Sequence, residues 1–159
     1  MLIGRKTERE ELERVINSGK AELVAVYGRR RVGKTYFINE MTRDHVIFRH
    51  TGLSPYDSTR RVTLKEQLQN FHFSLLRYGM ENVPLPKSWQ EAFLLLQELI
   101  EQKDNGTRQV VFIDELPWMD TARSGFLIAL EEFWNKWGCL RKELCLILNG
   151  SAASWMVDN

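Results

Sequence analysis

One stretch of the chain decides its fold: Gly28-Arg29-Arg30-Arg31-Val32-Gly33-Lys34-Thr35. It matches the pattern G-x-x-x-x-G-K-[ST] at every position, in which successive backbone N–H groups turn inward around a phosphate. The glycines are needed because a Cβ atom would obstruct that close approach. We expect Lys34 to reach the β- and γ-phosphates of a nucleotide and the Thr35 hydroxyl to bind Mg²⁺.

The sequence around this loop supports the same interpretation. A short apolar run at residues 22–27 is typical of a strand buried on both faces, and helical sequence follows from about Lys34 to Thr42. The alternative is a plain strand-to-helix turn that contains glycine, which the complete motif disfavours. We therefore assign nucleotide contacts to the whole loop and to Tyr36 behind it. The three consecutive arginines at 29–31 are typical of solvated loop side chains, and DNA contact is the alternative.

A second motif follows a buried strand further along the chain. The apolar run Val110-Val111-Phe112-Ile113 ends in two acids, Asp114 and Glu115. In P-loop enzymes an Asp at this position holds Mg²⁺, usually through water. A second acid beside it can orient or deprotonate the water that attacks the γ-phosphate. Solvated acids at a strand end are the alternative, and the nearby phosphate loop favours the nucleotide site.

A third polar group ends the next predicted strand, at residues 144–148. Ser151, our first choice, and Asn149, our second, are placed to sense the γ-phosphate or to help position the water. A simple turn or helix cap there is the alternative.

Strands predicted at residues 22–27, 45–50, 109–113 and 144–148 alternate with helical patterns. Two of the helical patterns occupy residues 64–76 and 88–100, and a third occupies 121–137. Such alternation predicts a parallel sheet covered by helices on both faces. Ligands bind at the carboxyl edge of such sheets, and all three motifs fall on that edge.

The composition narrows the class of protein. Hydrophobic residues make up 43% of the 159 residues, charged residues 27%, and the net charge is +1. Those values are typical of a soluble domain, and they exclude a global field that attracts nucleic acid or a membrane surface. Cys139 and Cys145 fit neither a metal site nor a disulfide framework. No signal peptide or long apolar run is visible, so the sequence predicts a cytoplasmic protein without a membrane partner.

The combined motifs resemble a known family. The segments that carry the resemblance are Ile3-Gly4-Arg5, Tyr27 with the phosphate loop, Phe112-Ile113-Asp114-Glu115-Leu116-Pro117-Trp118, and Asn149-Gly150-Ser151. In this order they are similar to the archaeal-type AAA+ ATPases, which are close to the STAND signalling NTPases. The resemblance implies a three-layer α/β/α P-loop core of the additional-strand type, with strand order 5-1-4-3-2. It also implies that Ile3, Gly4 and Arg5 lie near the adenine.

Members of that family usually continue into a lid or winged-helix region and a C-terminal domain. The resemblance therefore implies that residues 1–159 form one truncated ATPase core whose fifth strand is missing. The first strand would then be an open edge, and an open apolar edge favours self-association.

Three functions remain open at this point. The first is Mg-dependent ATP binding and hydrolysis, with Lys34, Glu115 and Ser151 as catalytic residues and with Thr35 and Asp114 as metal ligands. The second is a nucleotide-gated binding module with little hydrolysis, linked to DNA through regions outside this chain. The third is a small-molecule phosphotransferase. The adjacent acids favour hydrolysis over the third, because a kinase must keep water out of its site.

Overall fold

The computed structural model describes residues 6–27, 33–55 and 60–150. Over these ranges the chain alternates between helices and strands, as the sequence predicts. The elements in chain order are α1 Lys6–Ile16, β1 Glu22–Tyr27, α2 Lys34–Thr42, β2 Val46–Thr51, α3 Leu64–Arg77, α4 Trp89–Gln102, β3 Gln109–Asp114, α5 Leu116–Met119, α6 Phe126–Lys136 and β4 Leu144–Gly150. A short 3-10 helix, Gly138–Leu140, precedes β4.

The four strands form one parallel sheet in the order β1-β4-β3-β2. This confirms the predicted α/β fold class and matches the 1-4-3-2 part of the expected order. The register places Asp114 of β3 beside Asn149 of β4, and Tyr27 of β1 beside Gly150. The carboxyl ends of three strands therefore meet where the sequence motifs predicted a site.

Helices cover the sheet on both faces. One face carries a large aromatic core built from α3, α4 and α6, in which Phe71, Trp89 and Phe93 are almost fully buried. The other face carries a smaller core in which Leu12 of α1 and Phe37 of α2 pack on the sheet. The result is the three-layer α/β/α arrangement. Within the described ranges, no helix is long and apolar enough to cross a membrane.

β1 differs from its prediction. The sequence predicts a strand buried on both faces, but Leu23 is 44% exposed and Ala25 is also exposed. Among the described residues β1 pairs only with β4, so it is the edge of the sheet. An apolar groove of about 320 Å³ runs between β1, β4 and α6, with Leu130 and Trp134 in its wall. Apolar side chains that point away from α1 and α2 therefore remain half-covered here.

α6 also begins later than predicted. The helical pattern suggested a helix from residue 121, whereas α6 starts at Phe126, after the separate single turn of α5. Its N-cap is Gly125, in a left-handed conformation with φ 72°, and the Ser124 hydroxyl accepts a hydrogen bond from the Phe126 backbone N–H at 3.2 Å.

A histidine is buried in the aromatic core. His50 of β2 bonds through Nδ1 to the Ser74 hydroxyl at 2.7 Å and packs its ring edge-on against Phe71. Its Nε2 has no hydrogen-bond partner among the described residues. Burial, with a smaller contribution from Arg77, lowers the pKa of His50 from 6.5 to about 3. The folded chain therefore holds this imidazole neutral.

We expect acidification to destabilise the fold because of His50. Below about pH 6.5 the unfolded chain takes up a proton that the folded chain does not, so stability is lost progressively as the pH falls toward 3. At about 1.4 kcal/mol per pH unit, the loss between pH 6.5 and 5 is about 2 kcal/mol. Urea unfolding across this range measures it. His50→Gln, which can still bond to Ser74, should give a flatter profile, and parallel profiles would contradict the assignment.

Candidate nucleotide site

The described residues contain part of the predicted site. Gly33, Lys34, Thr35, Tyr36, Asp114, Glu115 and Asn149 are described. Gly28, Arg29, Arg30, Arg31 and Val32 of the loop lie outside the described residues, as do Ile3, Gly4, Arg5 and Ser151. The described part of the site therefore consists of the start of α2 and the carboxyl ends of β3 and β4.

Gly33 and Lys34 form the start of α2. Gly33 has φ 82° and ψ 15°, a left-handed conformation that suits glycine, and its carbonyl accepts the Phe37 N–H at 2.9 Å. Lys34 is only 7% exposed, and its ammonium donates to the Gly150 carbonyl at 2.8 Å. A helix begins here with its N–H groups and its positive dipole end at the loop, which is the arrangement that favours a bound phosphate. Tyr36, one residue beyond Thr35, is half-exposed.

Asp114 is the centre of the described site. It ends β3, is only 4% exposed, and its Oδ2 accepts a hydrogen bond from the Thr35 hydroxyl at 2.8 Å. Its Oδ1 accepts from the Asn149 amide at 2.7 Å and from the Glu115 N–H at 2.8 Å. Three donors from three segments of the chain thus hold one buried carboxylate. Thr35 and Asn149 therefore meet at this carboxylate, although they lie 79 and 35 positions from Asp114 in the sequence.

The side chains of Thr35 and Asp114 are chemically suited to bind a magnesium ion. Both offer oxygen atoms, which Mg²⁺ prefers, and the hydrogen bond between them puts these oxygens within one coordination sphere. In the described parts of the chain, no group of three or more His, Cys, Asp or Glu side chains could hold a metal alone. Mg²⁺ commonly takes one or two protein ligands and completes its shell with water and substrate phosphates. The pair therefore suits a metal that arrives with a nucleotide.

Glu115 has an uncommon backbone conformation. It follows β3 directly, with φ 59° and ψ 48°, in the left-handed region that few non-glycine residues adopt. Its carbonyl accepts the Trp118 N–H at 3.1 Å, which closes the turn of α5. The segment is held at a geometry that costs energy, and such strain is common at functional sites.

Two residues near this turn were missed by the sequence analysis. Gln67 of α3 is buried and bonds to the Trp118 carbonyl, and Gly52, after β2, donates its N–H to the Asp114 carbonyl at 3.1 Å. A Cβ on Gly52 would lie 2.8 Å from Cγ of Met119 and 3.1 Å from the Glu115 carbonyl. The only signal in the sequence is that Gln67 falls four residues before Phe71, on the inner face of α3.

Comparison with known proteins bears on the family and the fold of the chain. No protein-family model matches the chain. Over 49 residues it is 49% identical to an uncharacterized ATP-binding protein of Methanocaldococcus jannaschii. That match covers 31% of this chain and 83% of the relative.

Among solved structures, a Walker-type ATPase of Pyrococcus abyssi superposes with a TM-score of 0.65 at 19% identity, over 97% of this chain. This chain spans about half of that protein, 47% of its length. Drosophila ORC bound to AT-rich DNA and Cdc6 superposes less well, with a TM-score of 0.47 at 14% identity over 92% of this chain and 45% of that one. The likeness to the Pyrococcus protein shows the fold, and the likeness to the Methanocaldococcus protein shows the family. The chain belongs to the archaeal-type AAA+ family of P-loop ATPases.

Proposed function

We propose that this chain binds ATP together with Mg²⁺ and hydrolyses it. The observation that carries the proposal is the buried Asp114 carboxylate, hydrogen-bonded to the Thr35 hydroxyl where α2 meets the sheet. A complete phosphate-loop sequence precedes Thr35, and a second acid, Glu115, follows Asp114. The ATP-binding relative named above supports the choice of nucleotide.

Each residue has one role in this proposal. The amides of residues 28–33 and the Lys34 ammonium hold the phosphates, and residues 3–5 and Tyr36 lie around the rest of the nucleotide. Thr35 and Asp114 hold Mg²⁺, which neutralises charge on the phosphate oxygens when bound. Asn149 fixes Asp114 through its amide, 2.7 Å from Oδ1. Glu115 orients the attacking water and accepts its proton, and Ser151 contacts the γ-phosphate.

A second candidate is a nucleotide-gated binding module with little hydrolysis of its own. The bond between Lys34 and the Gly150 carbonyl favours it, because it joins the phosphate-binding cation to the end of β4. A phosphate that draws Lys34 away would release that carbonyl at the end of β4. The partner of such a module would be DNA, bound through regions outside this chain, or a second copy that pairs with the β1 edge.

We expect Lys34→Ala to weaken ATP binding at least tenfold, about 1.4 kcal/mol. The change removes the cation that the motif places against the β- and γ-phosphates, and a charge-assisted hydrogen bond is worth that much or more. Calorimetric titration with ATP in excess Mg²⁺ measures the affinity. Lys136→Ala is the matched control, since it removes the same charge from an exposed site paired with Glu132. Equal ATP affinity in Lys34→Ala and the wild type would contradict the assignment of a nucleotide site to this loop.

A further inference from the structure

Gln67 joins three segments of the chain through one buried side chain. It lies on α3 and is only 2% exposed. Its Oε1 accepts the Leu53 N–H at 3.1 Å, while its Nε2 donates to the Leu53 carbonyl at 2.8 Å and to the Trp118 carbonyl at 3.1 Å. The amide therefore uses its acceptor and both of its donor hydrogens. Leu53 follows β2, and Trp118 belongs to α5.

The contact with Trp118 matters because α5 begins directly after Glu115. We call residues 115–119 the Glu115 turn. Its first residue is left-handed, and its closing bond runs from the Trp118 N–H to the Glu115 carbonyl. Gln67 binds the carbonyl of that same Trp118. Gly52 lies against the turn from the β2 side, where no room exists for a Cβ atom.

We propose that Gln67 is a positioning residue for ATP hydrolysis, holding the Glu115 turn so that the Glu115 carboxylate faces the attacking water. The inference rests on the role of Glu115 in the proposed function. Without the bond to Gln67, the Trp118 carbonyl and the backbone of Leu53 lose buried partners. The left-handed conformation of Glu115 then loses one of the surrounding contacts that allow a strained residue to persist.

No other side chain of this size supplies the same three bonds. Glutamate can accept from the Leu53 N–H but cannot donate to two carbonyls when ionised, and leucine does neither. Gln67→Leu therefore removes the bonds while keeping an apolar side chain of comparable volume in the core. Asn70→Leu is the matched control. Asn70 lies one turn further along α3 and donates to the Thr51 carbonyl at 2.9 Å, so it binds the same end of β2 without touching the Glu115 turn.

Two measurements on the full chain test the inference. Single-turnover cleavage of Mg-ATP, with protein in excess, should slow at least about tenfold in Gln67→Leu, with ATP affinity changed less than about twofold. Amide hydrogen exchange at Trp118 should accelerate about tenfold more than at Val111 in β3, which reports global opening. Asn70→Leu should leave both values within about twofold of the wild type. Gly52→Ala, which presses on the Glu115 carbonyl from the other side, should repeat the Gln67→Leu pattern.

Unchanged exchange at Trp118 in Gln67→Leu would overturn the inference, and so would equal losses of turnover in Gln67→Leu and Asn70→Leu. If Gln67→Leu does not fold, Gly52→Ala decides, since unchanged turnover there contradicts the need for a fixed Glu115 turn. A wild-type chain that binds ATP but never cleaves it would overturn the proposed hydrolysis. The exchange result would then still decide whether Gln67 holds the turn.

Discussion

Glu115→Gln is expected to lower the rate of ATP hydrolysis about a hundredfold while ATP affinity stays within about twofold. Glutamine is nearly the same size and shape as glutamate, but it is a far poorer base. Glu115 starts the α5 turn and bonds through its backbone, with its N–H to Asp114 and its carbonyl to Trp118. The substitution leaves those backbone bonds intact, so the loss should fall on kcat and not on binding.

Phosphate release measures turnover, and calorimetry measures affinity. Glu98→Gln, an exposed change on α4, controls for the loss of one carboxylate. Unchanged turnover in Glu115→Gln would show that the Glu115 carboxylate has no catalytic role. That result would favour the second candidate function, the nucleotide-gated binding module. A loss of binding as well would mean that Glu115 supports the metal.

Asp114→Asn is expected to abolish the effect of Mg²⁺ on ATP binding and to lower turnover about a hundredfold or more. The wild-type carboxylate is buried and accepts from Thr35, Asn149 and the Glu115 N–H. Asparagine keeps an oxygen at Oδ1 for two of these donors, and the Thr35 hydroxyl can rotate to accept from the new amide. The fold should therefore survive while the negative charge that attracts the metal is lost.

ATP titrations with Mg²⁺ and with EDTA separate the two effects. The wild type should bind ATP at least about tenfold more tightly with Mg²⁺ than without it, and Asp114→Asn should bind equally in both conditions. Asp44→Asn, an exposed change after α2, should behave as the wild type. If Mg²⁺ strengthens ATP binding by Asp114→Asn as much as it does in the wild type, other oxygen atoms hold the metal.

Much of the fold could be predicted because its signals are local. The glycine and lysine of the loop require a strand before them and a helix after them, and α2 spans Lys34–Thr42 as predicted. Ser88 caps α4, with its hydroxyl accepting the Glu91 N–H at 3.1 Å, and a serine three residues before a glutamate is a local signal for such a helix start. Thr63 and Glu66 form a full capping box at the start of α3, which the apolar spacing of residues 64–76 does not indicate.

The rest depends on contacts distant in sequence. The exposure of Leu23 follows from β1 lying at the edge of the sheet, which strand composition alone does not reveal. Gln67 could not be singled out because its partners, Leu53 and Trp118, lie 14 and 51 residues away. The sequence places Thr35 and Asp114 at the same edge of the sheet, since parallel strands bring their carboxyl ends together, but the hydrogen bond between them is visible only in the structure.

The bond between Lys34 and the Gly150 carbonyl would couple nucleotide binding, in the proposed function, to the carboxyl end of β4. In the proposed function the same ammonium also contacts a phosphate of the nucleotide, and its three N–H donors are shared between that phosphate and the end of β4. By thermodynamic linkage, a change beyond Gly150 that alters nucleotide affinity by some factor is itself altered by the nucleotide by that same factor. In the proposed function, nucleotide affinity therefore reports changes at the carboxyl end of β4.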